Sequence, residues 1–284
     1  ALANLYLVNG MIGDIPFNNF TLQGTQMGNR FTVSNFDINT EIGHANLYGW
    51  FSLSGHKLSF IKSDMIDLEG EFKKFELGYL NKYFPWEKST SGLLSGKLSI
   101  KGKAISPFMK LDSYILSPAF DKIKAKELSS IIIYKDDRIF LKRFNLNTVN
   151  GSYTGIGSLP ANLNFINKSN LNIINEPLDF TFTGKSNSFE FLTPYIEQID
   201  DMSGEFSIQL ELSGTLLKPI REGQLSIQNA ELGFLQLDDK ITSINGVAVI
   251  SNNKLFIKQM KGMLINKSND NSYVLDKLNV FKNI

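Results

Sequence analysis

Apolar and polar residues alternate along most of the chain. Segments 97–101 and 206–212 place apolar side chains at every second position, which is the period of a β-strand with one buried face. Shorter runs of the same type are 178–183, 224–228, 246–250 and 254–258. Clusters of Asn, Asp, Gly and Ser separate these runs, and such clusters favour turns. The pattern predicts an all-β meander of hairpins.

Two kinds of dipeptide mark the predicted turns. Asn9-Gly10, Asn150-Gly151 and Asn245-Gly246 favour the positive φ angles that tight turns require. Asp136-Asp137 and Asn252-Asn253 lie between apolar runs and are predicted hairpin tips. Because turns this short join neighbouring strands, the sheet is expected to be mostly antiparallel.

Two segments lack the strand alternation. Residues 75–88 (FELGYLNKYFPWEK) and 189–201 (FEFLTPYIEQIDD) carry aromatic and aliphatic residues at spacings of three and four. Because that spacing is helical, each segment is predicted to form a short helix or turn. Each is followed by a Ser-Gly pair and then by an alternating strand that ends at Gly102 or Gly214.

These elements recur along the chain. Three markers return after about 112 residues without a gap, namely Ser91 and Ser203, Gly102 and Gly214, and Pro107 and Pro219. A second correspondence joins residues 29–36 to residues 137–144. We therefore predict one continuous β segment over 1–284, with repeat units at approximately 1–78 (partial), 79–190 and 191–284 (partial). Such a repeat favours a sheet that extends in one direction over a closed globule.

Composition and charge argue against several classes of partner and site. The chain has 29 basic and 28 acidic residues and a net charge of +1, so no strong field attracts nucleic acid. It has no cysteine, which excludes disulfides and cysteine-based zinc sites. No apolar run reaches the roughly 18 to 20 residues that span a bilayer. We expect no nucleic-acid partner and no membrane anchor within this sequence.

Candidate catalytic groups are sparse. The two histidines, His44 and His56, have no His or Cys companion at metal-ligand spacing. The acidic pairs Asp136-Asp137, Asp200-Asp201 and Asp238-Asp239 lie at turn-like positions, where acidic residues are common. No nucleophile-elbow, P-loop or dinucleotide-binding motif is present. The expectation is a protein that is not an enzyme, with no catalytic residues, no metal and no cofactor.

The remaining feature is a face of apolar side chains on the predicted strands. Its members are Leu98, Ile100, Phe180, Phe182, Phe206, Ile208, Leu210, Leu212, Leu225, Ile227, Leu255 and Ile257. Alternation alone is compatible with the packed core of a β-sandwich and with a concave sheet that binds an apolar ligand. The in-phase repeat favours the second interpretation, because it extends one continuous apolar face.

The phased elements resemble the AsmA-like and TamB family of diderm bacteria, in which TamB is the inner-membrane component of the translocation and assembly module. The resemblance is carried by LSGTLLKPIREGQLSIQNAEL, ITSINGVAVI and LFIKQMKG, all within 203–262. The middle copy, SGLLSGKLSIKGKAISPFMKLDSYIL, keeps Gly102 and Pro107 but has Leu111 where the last copy has Gly223.

This resemblance implies a fold and a role. The implied fold is an elongated, twisted antiparallel sheet curled into a U-shaped groove, called a β-taco or repeating β-groove, with short helices between repeats. The implied role is to carry phospholipid across the periplasm between the inner and outer membranes, with the acyl chains against the twelve apolar residues. Two alternatives stay open: a scaffold for outer-membrane protein assembly or translocation, and a structural interaction module without lipid.

Partners and location follow from the same resemblance. Family members are anchored in the inner membrane, reach through the periplasm and meet a barrel partner in the outer membrane. The anchor and the carboxy-terminal domain that contacts the barrel are not recognisable in this sequence. We therefore expect an interior groove section of a longer, inner-membrane-anchored periplasmic protein.

Overall fold

The structure, a computed structural model, consists almost entirely of β-strands. It describes residues 1–54, 59–82, 89–166, 175–189, 199–234, 237–266, 271–276 and 282–283. The described strand pairs are antiparallel. The predicted all-β antiparallel fold class is confirmed.

The strands are long for a soluble sheet, many of them exceeding ten residues. The first nine are β1 (Leu2–Ile12), β2 (Ile15–Met27), β3 (Arg30–Thr40), β4 (Gly43–Ser52), β5 (Met65–Glu76), β6 (Thr90–Lys103), β7 (Ser106–Phe120), β8 (Ile123–Lys124) and β9 (Glu127–Lys135). The others are β10 (Arg138–Asn147), β11 (Gly151–Pro160), β12 (Asp179–Ser188), β13 (Ile199–Gly214), β14 (Pro219–Phe234), β15 (Leu237–Ser251), β16 (Lys254–Asn266), β17 (Asn271–Asp276) and β18 (Lys282–Asn283).

The chain divides into two compact units. The first comprises Ala1–Asp121, Glu127–Phe144 and Ser158–Ile174, and the second comprises Lys122–Lys126, Asn145–Gly157 and Asn175–Ile284. In the first unit each strand from β1 to β7 pairs with the next one along the chain, and β7 pairs with β9. In the second unit the strands from β12 to β17 pair in the same consecutive way. Both are therefore meanders of local hairpins.

Strand register repeats along with the sequence. The strand pairs β5–β6 and β6–β7 of the first unit have the same pairing as β12–β13 and β13–β14 of the second, 112 residues later. The equivalent residue pairs are Leu68–Ile100 with Phe180–Leu212, Leu98–Leu111 with Leu210–Gly223, and Gly102–Pro107 with Gly214–Pro219. The sequence repeat therefore specifies the hydrogen-bond register as well as the strand positions.

β-Bulges recur at equivalent places. The register shifts between Ser91 and Leu93 on β6 and between Ser203 and Glu205 on β13, again 112 residues apart. The partner strand carries a positive-φ residue at Ser117 in the first case. Since a bulge bends its strand and increases the local twist, bulges on neighbouring strands bend each unit's sheet near one end of its strands.

The core of the second unit lies at this bend. Phe189, Phe206, Ala230 and Ile244 form a buried cluster. Ile208, Leu225 and Ile227 pack on the cluster from one side of the bulges, and Met202, Leu232 and Ile241 pack on it from the other. Because side chains from both sides of the bulges meet the same cluster, the bent sheet packs against itself there.

The turn predictions are partly confirmed. Asp136-Asp137 and Asn252-Asn253 have positive φ at both residues and form hairpin tips, and Asn150 directly precedes β11, which begins at Gly151. The turns predicted at Asn9-Gly10 and Asn245-Gly246 are wrong, because both dipeptides lie inside strands, β1 and β15. Asn9 has a φ of 53° inside β1, and the β1–β2 register is the same before it, at Val8–Asn19, and after it, at Gly10–Phe17.

The predicted helices have different outcomes. In segment 75–88 a 3-10 helix runs over Leu77–Lys82, and residues 83–88 lie outside the described residues. In segment 189–201, residues 190–198 lie outside the described residues, and β13 already begins at Ile199. The first prediction is therefore confirmed as a short helical turn, and the second was wrong at its carboxyl end.

Candidate binding face

Ten of the predicted apolar residues lie on the second unit, on four of its strands. Phe206 lies opposite Ile227, and Ile208 lies opposite Leu225. Directly opposed residues on antiparallel strands share a face. The row through Ile208 and Leu225 continues to Ala248 on β15 and Ile257 on β16. Residues far apart in the sequence thus form a row of apolar side chains across four strands.

Adjacent rows widen this face. Phe182 lies opposite Leu210 and Phe180 lies opposite Leu212 on β12 and β13. On the other side of Leu210 the row passes through Gly223 and Ile250 to Leu255. The register therefore places Phe180, Phe182, Leu210, Leu212 and Leu255 on the same face as Phe206. We refer to this surface as the second-unit apolar face.

Leu98 and Ile100, the other two predicted residues, lie on β6 of the first unit. Leu98 faces Leu111 on β7 and Gly70 on β5. The row through Leu98 continues over all eight of the unit's main strands as Leu5, Leu22, Phe36, Leu47, Gly70, Leu98, Leu111 and Ile132. Sequence reasoning did not find most of these positions, because polar residues and glycine interrupt the alternation in strands such as β2 and β4.

Burial distinguishes the lining of a face from the core of a sandwich. Of the twelve predicted residues only Phe206 is fully buried, with 5% of its surface exposed, and the other eleven are half-buried. A sheet packed face to face on a second sheet buries its inner side chains. The eleven half-buried residues therefore lack the full burial of a sandwich core, whereas Ala248, paired with Leu225, is buried.

Aromatic rings cover glycines on neighbouring strands of these faces. A Cβ added at Gly155 would collide with the ring of Phe182, and one added at Gly157 would collide with the ring of Phe180. In the first unit a Cβ added at Gly96 would likewise collide with the ring of Phe72. Glycine therefore leaves the space that a neighbouring ring fills, and the rings of Phe180 and Phe182 stack 5.9 Å apart on the face.

The opposite face of the first unit is charged. Lys97 Nζ lies 2.9 Å from Glu71 Oε1, and Lys101 Nζ lies 2.9 Å from Glu69 Oε1. The Tyr48 hydroxyl donates a hydrogen bond of 2.9 Å to Glu69. Hydrogen bonds from the lysines lower the pKa of both glutamates, and the same contacts raise the pKa of both lysines. These paired charges make this face of the first unit hydrophilic, whereas its other face is apolar.

On the opposite face of the second unit, β13 and β14 carry polar side chains. Ser207 and Gln209 lie opposite Ser226 and Gln224 across β13 and β14. These four side chains line a shallow depression of about 450 Å³. On β13 and β14 the two faces of the second unit therefore differ, and the row through Gln224 on the polar side continues to Val249 on β15 and Phe256 on β16.

The described residues hold no group of three or more His, Cys, Asp or Glu side chains that could bind a metal ion. His44 Nε2 lies 2.8 Å from Asp37 Oδ2 in a half-buried pair, and His56 lies outside the described residues. The side chains of Asp200, Asp201, Asp238 and Asp239 also lie outside the described part. No described helix is both long and apolar enough to cross a bilayer.

Comparison of the chain with protein-family models, with curated proteins and with solved structures finds no match.

Proposed function

We propose that the chain is a section of a lipid groove whose apolar faces hold the acyl chains of phospholipid. In this proposal the twelve predicted residues line the groove, with Phe206 at its base. The transport route is the periplasm of a diderm bacterium, between the inner and outer membranes. An inner-membrane anchor and an outer-membrane barrel partner belong to the same proposal, which takes both from the sequence resemblance.

The observation that carries the proposal is the half-exposed apolar row. Residues such as Leu210, Leu225 and Ile257 belong to continuous rows but keep part of their surface open. Exposed apolar surface of this kind marks an interaction site for an apolar partner. An acyl chain fits such a surface because it needs contact along its length and no polar contacts.

The energetics favour a passive role. Exposing the roughly 30 methylene groups of a phospholipid to water costs on the order of 20 kcal/mol, at about 0.8 kcal/mol per group. A face that covers the tails removes most of this cost while the head group stays in solvent. No proton transfer or nucleophile is needed, so the proposed role requires no catalytic residue.

The direct test is mass spectrometry of organic extracts from the protein purified without detergent. We expect phospholipid at a fixed ratio to protein, and none from an unrelated soluble protein taken through the same purification. Protein that carries no lipid and does not take up a fluorescent phospholipid from vesicles would overturn the proposal. If such protein instead binds unfolded outer-membrane proteins, the scaffold alternative is supported.

A further inference from the structure

A pocket of about 310 Å³ lies in the second unit, where the segment around β8, the turn before β11 and the end of β12 come together. Its polar lining consists of Lys122, Lys124, Thr148, Asn150, Ser186 and Ser188. Among the described residues that line it, none is acidic. We refer to it as the lysine pocket, because it combines two positive charges with hydroxyl and amide groups.

The lysines of the first unit have different surroundings. A depression there is lined by Lys97 and Lys110 but also by Glu69, Glu71 and Asp112. Lys97 Nζ lies 2.9 Å from Glu71 Oε1, so acidic side chains balance the lysines of that depression. The described lining of the lysine pocket instead carries a net positive charge. A concave site with one sign of charge raises the local concentration of ions of the opposite sign.

β12 leads from the lysine pocket to the second-unit apolar face. Ser186 lies opposite Phe206, and the next positions on the same face of β12 are Gly184, Phe182 and Phe180. From Ser186 to Phe180 an extended strand spans about 20 Å. An acyl chain of one leaflet spans about 15 Å, half of a hydrocarbon core of about 30 Å. The apolar face beside the pocket is therefore long enough for one acyl chain.

Tyr153 lies at the boundary between the pocket and the apolar face. It lines the pocket, and its ring centroid lies 6.5 Å from that of Phe206. A Cβ added at Gly184 would collide with the same ring. Burial raises the pKa of the Tyr153 hydroxyl, so this group stays protonated at neutral pH. Tyrosine suits such a boundary because its ring is apolar and its hydroxyl is polar.

We propose that the lysine pocket binds a phosphate group and holds the head group of an anionic amphiphile whose tail lies on the second-unit apolar face. Lysine is a common phosphate ligand because it presents a compact positive charge. Lys122 and Lys124 are exposed to solvent, so a bound phosphate keeps part of its hydration. The position of the tail rests on the proposed lipid function, whereas phosphate binding in the pocket does not.

Isothermal titration calorimetry with three probes tests the site. The probes are decyl phosphate and decyltrimethylammonium, both below the concentrations at which they form micelles, and inorganic phosphate. We expect the natural chain to bind decyl phosphate at least tenfold more tightly than either of the other two. The double variant Lys122→Ala/Lys124→Ala should bind decyl phosphate at least tenfold more weakly and decyltrimethylammonium no more weakly. Both substitutions replace exposed side chains, so the circular dichroism spectrum should stay native.

A single-charge comparison separates the pocket from the overall charge of the unit. Lys124→Ala should weaken decyl phosphate binding about fivefold. The matched control is Lys185→Ala, which removes the same charge next to Ser186 but on the polar face, opposite Ser207. It should change the affinity less than twofold, because salt screens exposed charges beyond about 8 Å. Equal losses in the two variants would overturn the proposal, since only net charge would then matter.

The same probes distinguish a lipid head group from a soluble phosphate. Leu210→Asp should weaken the binding of both decyl probes and leave that of inorganic phosphate unchanged. Inorganic phosphate that binds as tightly as decyl phosphate, and more weakly to the double variant, would assign the pocket to a soluble phosphate and overturn the placement of a lipid head group there.

Two results would overturn the pocket itself. One is unchanged affinity for decyl phosphate in the natively folded double variant, and the other is that neither phosphate probe binds the natural chain. The lipid groove fails by a different result, the absence of phospholipid from the purified protein and of uptake from vesicles. The failure of the pocket and the failure of the proposed function are therefore distinguishable.

Discussion

The ring centroid of Phe189 lies 4.9 Å from that of Phe206. Phe189 directly follows β12, and Phe206 lies on β13 with its side chain on the apolar face. Their contact fills the bend of the second unit together with Ala230 and Ile244. One of the twelve predicted lining residues is therefore a core residue, whereas the other eleven are half-buried.

This difference predicts unequal effects of truncation on stability. Phe206→Ala should lower the free energy of unfolding of the second unit by about 3 kcal/mol, because it leaves a cavity beside Phe189. Leu210→Ala should lower it by about 1 kcal/mol, because the Leu210 side chain is half-exposed and little cavity forms. Urea unfolding followed by far-ultraviolet circular dichroism measures the loss of free energy of unfolding in both variants. Equal losses at the two positions would mean that Leu210 is also packed core.

A charge on the apolar face should remove lipid binding without unfolding the chain. Leu210→Asp places a carboxylate in the middle of the row formed with Phe182 and Gly223. Desolvating that charge against an acyl chain is costly, so we expect at least a tenfold loss in uptake of a fluorescent phospholipid. The matched control is Gln209→Asp, one residue away on the polar face, which should bind lipid normally.

The choice of position matters for this experiment. Ile208 packs against the buried cluster, so a charge there tests the core as well as the face. If Leu210→Asp and Gln209→Asp both retain full lipid uptake and the native circular dichroism spectrum, the apolar face is not the lipid site.

Asp64 is expected to be a stabilising residue of the first unit. Its carboxylate, 1% exposed, accepts hydrogen bonds from the hydroxyls of Ser52 and Ser54 and from the backbone amides of Ser54 and Ile61. Asp64→Ala leaves these donors without an acceptor, which should lower the free energy of unfolding of this unit by about 2 to 3 kcal/mol. Denaturant unfolding of the variant beside the natural chain measures the loss.

The same site predicts a pH dependence. Burial alone would raise the pKa of the Asp64 carboxyl, but the hydrogen bonds from Ser54, Ile61 and Ser52 outweigh it and hold the pKa below its ordinary value. Asp64 therefore stabilises the fold fully above its unfolded pKa of about 3.9, and the contribution is lost as pH falls through the lower folded pKa. Below about pH 4 the natural chain should lose stability more steeply than Asp64→Asn. Parallel curves would show that Asp64 does not contribute.

The bulge at Gly204 should not tolerate a side chain. Its φ is 117°, and an added Cβ would meet Ala230 Cα at 2.4 Å along with other Ala230 atoms. We expect Gly204→Ala to lower the thermal midpoint by several degrees, because the strain of a positive φ and the clash act together. Gly78→Ala is the control, since its nearest neighbour to an added Cβ is the Thr90 carbonyl oxygen at 3.6 Å. Equal midpoints for the two variants would show that the bulge can relax.

The sequence determined the strands, their common face and their repeat. Period-2 alternation in segments such as 206–212 requires an extended chain with one apolar face, whatever the surroundings. The in-phase pairs Gly102 with Pro107 and Gly214 with Pro219 marked the register that the structure shows. Hairpin tips such as Asn252-Asn253 were predictable because few residues adopt positive φ at low cost.

Only the tertiary structure decided which apolar residues are covered. Phe206 and Leu210 have the same place in the alternation, but bulges bring Phe189, Ala230 and Ile244 onto Phe206 and nothing described onto Leu210. Likewise Asn9 has the local preference of a turn residue and lies inside a strand, since its neighbours pair on both sides of it. Local preference fixes the conformation of a residue, but long-range pairing fixes what lies against its side chain.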